Sequence, residues 1–265
     1  MERITSRQNP IVKEFRDAAR GGTDGLMLLD GQHLIEEALE SGARLRVLAV
    51  TERSTAHAAV RRAASGGARV VVVTDPVLGA ISPVETPSGM VALAARPSGS
   101  LEDVFATPPT LVVMLHDVQD PGNVGAIARA AEACGASGLV CSERTADPFS
   151  WKALRGAMGS TLRLPTAVKQ PLPDAIARAR SAGMRIFATA ARGGVLLPDC
   201  DLRMPAAIVL GGEGAGLPAD LVGSADVRLT IPMQPPVESL NVAIAAALIV
   251  YEAARQRTMS PVRQE

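Results

Sequence analysis

The chain has 265 residues, enough for one large or two modest domains, each with its own core. Hydrophobic residues make up 47% of it, but the longest aliphatic run, residues 242–250, is too short to cross a bilayer, which excludes a membrane-spanning protein. The formal net charge is zero, with 27 basic and 27 acidic residues, so the overall charge gives no sign of the basic footprint usual in nucleic-acid-binding proteins.

Short apolar runs alternate with alanine-rich helical patterns over the first hundred residues. The patterns predict strands at 26–29, 45–50, 70–73 and 90–94, with helices at 33–40 and 56–64, each followed by glycine. Residues 96–100 read Arg-Pro-Ser-Gly-Ser and have the composition of a linker. We therefore predict a small α/β domain over residues 1–97 and a second domain over residues 98–265.

Longer elements alternate in the second domain. Strands are predicted at 111–115, 138–141, 185–188, 207–210 and 227–231, and helices at 126–134, 151–158, 174–182 and 240–256. Strands separated by helices pair in parallel through right-handed crossovers, so the pattern predicts a doubly wound α/β domain. Ligands of such a sheet bind outside the carboxyl ends of its strands.

Three segments rich in glycine or asparagine follow predicted strands of this domain. They are Asp-Pro-Gly-Asn-Val-Gly-Ala-Ile-Ala-Arg at 120–129, Leu-Gly-Gly-Glu-Gly-Ala-Gly-Leu at 210–217, and Ile-Pro-Met at 231–233 with Ser-Leu-Asn at 239–241. Because glycine lets the main chain approach a ligand closely, the segments predict one site built largely from backbone groups. The glycine spacing differs from a dinucleotide fingerprint and no Lys-Ser/Thr pair follows it, which disfavours a nicotinamide oxidoreductase and a P-loop protein.

Several polar side chains in these segments have simple structural explanations. Asn123 and Ser239 are the predicted N-caps of the helices that follow them. Arg129 lies among small apolar residues, and an intrahelical ion pair with Glu132 would explain it. Asn241 falls in the first turn of a helix that is apolar nearly all round and therefore expected to be buried, so its amide needs partners.

The ordered set of three segments resembles the motifs of the SpoU/TrmH family of RNA ribose 2′-O-methyltransferases over about residues 110–256. The resemblance implies a deep trefoil knot in the parallel sheet, S-adenosyl-L-methionine bound by the knot, and a homodimer formed through the C-terminal domain. Five matched residues are thereby candidates for catalysis: Arg129, Asn123, Glu213, Ser239 and Asn241. The implied cofactor contacts are the backbone groups of Gly211, Ile231 and Leu240, with Thr189, Leu210, Gly212 and Met233 as neighbours.

The N-terminal residues resemble the substrate-binding domain of the ribosomal-RNA branch of this family. The matching stretches are 4–13, 28–32 and 36–39, with Asp30 where relatives usually carry glutamate. The resemblance implies an RNA substrate, large-subunit ribosomal RNA first and transfer RNA second, and antibiotic-resistance methyltransferases share the layout. A catalytically inactive RNA-binding protein of the same fold is the alternative, which the intact Asn123, Arg129 and Asn241 disfavour.

Basic residues crowd two stretches of the chain, where either RNA contact or ordinary solvated helix faces would explain them. These residues are Arg3, Arg7, Lys13, Arg16 and Arg20 in the first stretch, and Arg144, Lys152, Arg155 and Arg163 in the second. Aromatic residues make up only 2% of the chain, so RNA contact is expected to depend on phosphates, riboses and arginine side chains rather than on stacked aromatic rings.

The same sequence bears on compartment and on proton transfer. The N-terminus lacks the apolar segment of a secretion signal, and Cys134, Cys141 and Cys200 show no metal-binding spacing, which favours a reducing, cytoplasmic location without a metal site. A guanidinium with a pKa above about 12 is a poor base, so Arg129 is expected to stabilise developing charge. His116, next to Asp117, is a possible base, although a structural role at a strand end is favoured.

Overall fold

In the computed structural model the chain divides into two compact units. The first unit comprises Met1–Pro97 and Phe149–Arg163, and the second comprises Ser98–Pro148 and the chain from Leu164 onward. The structure describes residues 1–22, 25–106, 108, 110–214 and 216–258. The division after Pro97 coincides with the linker composition, whereas Phe149–Arg163 packs in the first unit, although the alternation of elements predicts it in the second domain.

Strands and helices are numbered in chain order. The strands are β1 (Glu2–Ile4), β2 (Leu26–Asp30), β3 (Leu45–Val50), β4 (Arg69–Val73), β5 (Met90–Ala95), β6 (Leu111–His116), β7 (Gly138–Ser142), β8 (Thr166–Gln170), β9 (Arg185–Thr189), β10 (Val195–Leu196), β11 (Ala206–Gly211) and β12 (Val227–Thr230). The helices are α1 (Pro10–Ala19), α2 (Gln32–Glu40), α3 (Ala58–Ser65), α4 (Asp75–Ile81), α5 (Leu101–Val104), α6 (Pro121–Ala133), α7 (Trp151–Ala157), α8 (Ser160–Arg163), α9 (Leu172–Ser181), α10 (Ala219–Gly223) and α11 (Val242–Thr258).

The first unit is built on a five-stranded sheet in the order β1-β4-β3-β5-β2. Strands β1, β4 and β3 are parallel, and β5 runs antiparallel to both of its neighbours. Helix α1 buries Ile11, Val12, Phe15 and Ala18 against this sheet, in the spacing of an amphipathic helix. The helices α1 and α4 and the strand β1 are not predicted from the sequence.

The second unit contains a seven-stranded sheet in the order β10-β12-β9-β11-β6-β7-β8. All of its strand pairs are parallel, as the alternation of strands and helices predicts. Strands β6 and β11 are central and fully paired, with Gly211 opposite His116 at their carboxyl ends. The edge strands β8 and β10 are absent from the sequence-based prediction, and the trefoil knot stays a prediction.

No helix in the described ranges of the chain is long and apolar enough to cross a membrane. Strands β6 and β11 form part of the core of the second unit, where Val112, Met114, Ala207 and Val209 belong to one hydrophobic cluster. Since parallel strands share the direction of their carboxyl ends, the loops that follow them meet at one edge of the sheet.

Candidate active site

A cavity of about 610 Å³ opens at the carboxyl edge of the sheet, at the ends of β9, β11 and β12. This volume lies within the range of small-molecule sites. All seven predicted cofactor-binding residues line it: Thr189, Leu210, Gly211, Gly212, Ile231, Met233 and Leu240. The structure therefore brings the second and third segments to one place, as their positions after strands predict; Ala215 of the second segment lies outside the described residues.

The glycine loop, residues 211–217, forms one wall of this cavity because its backbone folds tightly on itself. Gly212 and Gly216 form a β-bridge, and Gly216 has a φ of 66°. A Cβ atom on Gly211 would lie 2.6 Å from the nitrogen of Leu217 and would overlap the main chain of Gly216. A side chain at this position has no room, so the main chain itself faces the cavity.

Three of the predicted catalytic side chains meet beside this loop. The Nδ2 of Asn123 donates to Glu213 Oε1 at 2.6 Å, and the Nδ2 of Asn241 reaches the same oxygen at 3.2 Å. The Asn241 amide also donates to Asn123 Oδ1 at 3.2 Å. Residues far apart in sequence thus form one cluster, which the structure places at the edge of the cavity through Glu213 and Asn241.

The helix caps differ from the sequence-based prediction. Asp120 caps α6, since its Oδ1 accepts from the nitrogens of Gly122 and Asn123 at 2.6 and 3.3 Å, so the prediction of Asn123 as N-cap is wrong. Asn241 caps α11, accepting from the nitrogens of Ala243 and Ile244 at 2.9 and 3.3 Å.

The prediction of Ser239 as the cap of the last helix is therefore also wrong. Ser239 lies before the cap residue, lines the cavity and makes no hydrogen bond within the described residues. Asn241 precedes the helix instead of lying in its first turn, and this placement leaves its Nδ2 free to join the polar cluster while its Oδ1 serves the helix. One side chain thus has both roles.

Arg129, the fifth catalytic candidate, is not part of this cluster. It lies on α6, six residues after Asn123, with an exposed side chain that does not line the 610 Å³ cavity. Six residues correspond to about 9 Å along a helix and to a different face. Arg129 forms no ion pair within the part of the chain that the structure describes, so the pair with Glu132 that would give it a simple structural explanation is not seen there.

Helix α11 is buried on one side only. Its inward face holds Val242, Ala246, Ile249, Val250 and Ala253. The opposite face exposes Ile244, Leu248 and Tyr251, at 54%, 42% and 63% of their surfaces. The expectation of a helix buried nearly all round is therefore wrong, and an apolar stripe at positions i, i+4 and i+7 is exposed to solvent.

A second polar network, which the sequence does not predict, lies at the end of β6. Asp117 has a φ of 54°, and its nitrogen donates to the hydroxyl of the buried Ser142 at 3.0 Å. The Asp117 carboxylate lies 3.3 Å from the guanidinium of Arg144 and 3.9 Å from His116 Nε2. His116 thus belongs to this network and not to the lining of the 610 Å³ cavity.

None of the three cysteines lines the 610 Å³ cavity. All three are free thiols, and burial raises the pKa of Cys134, Cys141 and Cys200 above the ordinary value. A raised pKa keeps each sulfur protonated at neutral pH, and the neutral thiol is a poor nucleophile and metal ligand.

Comparisons with known families divide the chain in two. Residues 110–251 match the SpoU rRNA Methylase family, and residues 2–92 match the MRM3-like substrate binding domain. The first match covers all three segments that form the site, and the second covers the five-stranded sheet except for the end of β5.

Individual relatives extend the similarity over nearly the whole chain. The 23S rRNA (guanosine(2553)-2′-O)-methyltransferase RlmP of Bacillus subtilis is 32% identical over 255 residues, which is 95% of this chain and 98% of the relative. The 23S rRNA (uridine(2479)-2′-O)-methyltransferase of Streptomyces viridochromogenes is 36% identical over 65% of this chain and 62% of its own length.

Solved structures show the same similarity in three dimensions. The AdoMet-bound rRNA methyltransferase from Sinorhizobium meliloti has a TM-score of 0.87 at 31% identity, covering 96% of this chain and 97% of its own. The SpoU methyltransferase AviRb from Streptomyces viridochromogenes, in complex with AdoMet, has a TM-score of 0.84 at 27% identity, covering 96% of this chain and all of AviRb.

Proposed function

Because the chain belongs to the SpoU rRNA methylase family, we propose that it transfers a methyl group from S-adenosylmethionine to a ribose 2′-hydroxyl of large-subunit ribosomal RNA. The observation that carries this proposal is the meeting of Asn123, Glu213 and Asn241 at the edge of a cavity walled by backbone. A reaction on ribosomal RNA would take place in the cytoplasm, the location that the sequence also favours.

The cavity has the properties that S-adenosylmethionine requires. Its described lining consists of main chain at Gly211 and Gly212, apolar side chains at Leu210, Ile231, Met233 and Leu240, and one charged residue, Glu213. These residues, with Thr189, would hold the cofactor. When bound, S-adenosylmethionine supplies a methyl group on a positively charged sulfur, which a single carboxylate in the lining would favour.

The polar cluster orients the acceptor hydroxyl in this proposal. The two amides both donate to Oε1 of Glu213, so their hydrogen bonds fix the carboxylate and leave Oε2 without a partner among the described residues. Oε2 is then available to accept a hydrogen bond from the ribose 2′-hydroxyl. Holding that hydroxyl in line for the displacement would supply much of the rate.

Arg129 would act from a second copy of the chain. Its exposed position on α6 leaves it apart from the cluster on its own copy, and α6 packs against α11, whose apolar stripe is open. A homodimer that covers Ile244, Leu248 and Tyr251 would bury this stripe, and it would bring Arg129 of one copy toward the RNA held by the other. There the guanidinium would bind phosphate and stabilise the developing alkoxide.

Two arginines of the first unit support contact with the RNA backbone. Arg7 donates its Nε to the carbonyl of Pro76 at 3.0 Å, and Arg16 donates its Nε to the carbonyl of Ala80 at 2.9 Å. Neither forms an ion pair within the described residues, whereas Arg3 and Arg69 pair with Glu52 and Glu2. Held at Nε, both guanidiniums keep their terminal N–H groups free for phosphate oxygens.

The function is tested by supplying methyl-labelled S-adenosylmethionine and total RNA from a strain that lacks the protein. We expect label in large-subunit ribosomal RNA and one 2′-O-methyl position that is missing from the deletion strain. Label in transfer RNA instead would identify a transfer-RNA enzyme. Binding of S-adenosylhomocysteine without transfer to any RNA would contradict the proposed activity and favour an inactive RNA-binding protein of the same fold.

The role of Arg129 is tested by a mixed dimer. Arg129→Ala and Glu213→Gln, each expected to be inactive alone, are co-expressed with different affinity tags, and the mixed dimer is purified. If Arg129 serves the other copy, one of the two sites is intact and about half of the wild-type rate returns. A mixed dimer as inactive as its parents would show that Arg129 does not act across the dimer, and a monomer in solution would exclude the interface itself.

A further inference from the structure

A second cavity, of about 790 Å³, opens at the carboxyl edge of the same sheet, and the proposed reaction assigns it no ligand. It lies at the ends of β6, β7 and β8. The 610 Å³ cavity that would hold the cofactor, named the cofactor cavity, lies at the ends of β9, β11 and β12. The two cavities share Gly212, Glu213 and Gly216. A group that occupies the second cavity is therefore adjacent to the polar cluster at which the ribose hydroxyl would be held.

The charges of the second cavity exclude phosphate as its occupant. Among the described residues, four carboxylates line it, those of Asp117, Glu143, Glu213 and Asp220, against a single guanidinium, that of Arg144. Arg144 is already paired with Asp117. A phosphate would meet uncompensated negative charge here, so the part of a nucleotide that can enter is its uncharged base.

The lining nevertheless offers both hydrogen-bond acceptors and apolar contact surface. Glu143 and Asp220 have no ion pair within the described residues, so their oxygens can accept from a ligand. The side chains of Pro171, Leu172 and Leu221 supply apolar surface against which a planar ring can pack. Recognition of RNA bases uses this combination of face contacts and hydrogen bonds to the base edge.

The wall between the two cavities is held in a fixed conformation. Asp117 adopts a left-handed backbone conformation, and its backbone nitrogen donates to the Ser142 hydroxyl. The same hydroxyl lies 3.0 Å from Thr145 Oγ1. Gly212 packs so closely on the carbonyl of Asp117 that a Cβ atom there would overlap it. A strained residue held by several partners fixes the end of β6 against the glycine loop, so the cavity is formed before any ligand arrives.

We propose that this second cavity receives the base of the nucleotide whose ribose is methylated, and that the base is guanine. This inference rests on the proposed function. Guanine presents two neighbouring N–H donors, at N1 and N2, and a carboxylate can accept both at once. Glu143 and Asp220 are the acceptors that select it, which makes them specificity-determining residues of the methyl transfer.

The test uses full-length protein and an RNA oligonucleotide that contains the mapped 2′-O-methyl position. Glu143→Gln and Asp220→Asn each keep the size of the side chain and remove its charge. We expect at least one of them to raise the KM for RNA about tenfold, with the affinity for S-adenosylhomocysteine unchanged. Inosine, which lacks the N2 amino group, should lower kcat/KM for wild type about tenfold, and the same replacement should cost the sensitive variant less.

Asp174→Asn is the matched control, because Asp174 is an exposed residue near the start of α9 that lines neither cavity. It should leave KM unchanged. Wild-type methylation of the oligonucleotide with an unchanged KM in both cavity variants, or equal use of guanosine and an abasic nucleotide at the target, would overturn the inference. Absence of methyl transfer by wild type to any RNA would instead overturn the proposed function.

Discussion

The two cavities at the edge of the parallel sheet are lined in different ways. The cofactor cavity is walled by main chain and apolar side chains, and Glu213 is the one charged residue among the described residues that line it. The second cavity is walled by side chains from three strand ends and by four carboxylates. In the proposed reaction this difference corresponds to a division of roles, in which backbone groups bind the cofactor and side chains select the base of the target nucleotide.

Glu213 belongs to both cavities and offers the strongest test of this division. In Glu213→Gln an amide oxygen can still accept from Asn123 and Asn241, but the charge is lost. We expect kcat for methyl transfer to fall about 100-fold, since the acceptor hydroxyl loses its carboxylate partner. Single-turnover kinetics with saturating RNA measure this, and an unchanged rate would reduce Glu213 to a spacer between the cavities.

A substitution of Gly211 tests whether main-chain groups form the wall of the cofactor cavity. In Gly211→Ala the new methyl group would overlap the main chain of Gly216, so the loop must shift at a cost of about 2 kcal/mol. We expect the affinity for S-adenosylhomocysteine, measured by calorimetry, to fall about thirtyfold. Gly223→Ala in α10 is the control, because a Cβ atom there meets nothing within 4 Å.

Two substitutions of Asn241 distinguish its role as the cap of α11 from its role in the polar cluster. Asn241→Ser keeps an oxygen that can cap α11 but removes the amide that reaches Glu213, whereas Asn241→Ala removes both. We expect the alanine variant to lose about 1 kcal/mol of unfolding free energy and the serine variant much less, in denaturant titrations. Both variants should lose methyl transfer. Retention of activity in Asn241→Ser would show that only the cap is needed.

The residues that line the 610 Å³ cavity could be grouped from the sequence and those that line the second cavity could not, for a physical reason. Glycines 211, 212, 214 and 216 lie together in the chain, so a wall made of main chain leaves a continuous signature. The seven predicted cofactor residues accordingly line one cavity, and the family resemblance drawn from the three segments is confirmed by the match over residues 110–251. The roles of the individual residues stay predictions.

The second cavity has no such signature because its polar residues come from separate parts of the chain, at or after β6, β7, β8 and β11. Glu143 follows β7, Gln170 ends β8 and Asp220 lies in α10 beyond β11, and each is indistinguishable in sequence from a solvated loop residue. Only the sheet order β11-β6-β7-β8 brings them together. The predictions of the helix caps were wrong for a related reason. Asp120 and Asn123 are both good caps by residue type, as are Ser239 and Asn241, and tertiary packing decides between them.

The grouping of Phe149–Arg163 with the first unit has a practical consequence for spectroscopy. Trp151, the one tryptophan of the chain, lies in this segment and packs against the core that contains Phe15 and Leu28. Its fluorescence therefore reports unfolding of the five-stranded unit, even though its neighbours in sequence lead to β7 and β8 of the other sheet. A fragment cut at residue 98 would separate this reporter from the core that it monitors, so independent melting of the two units is best followed in the intact chain.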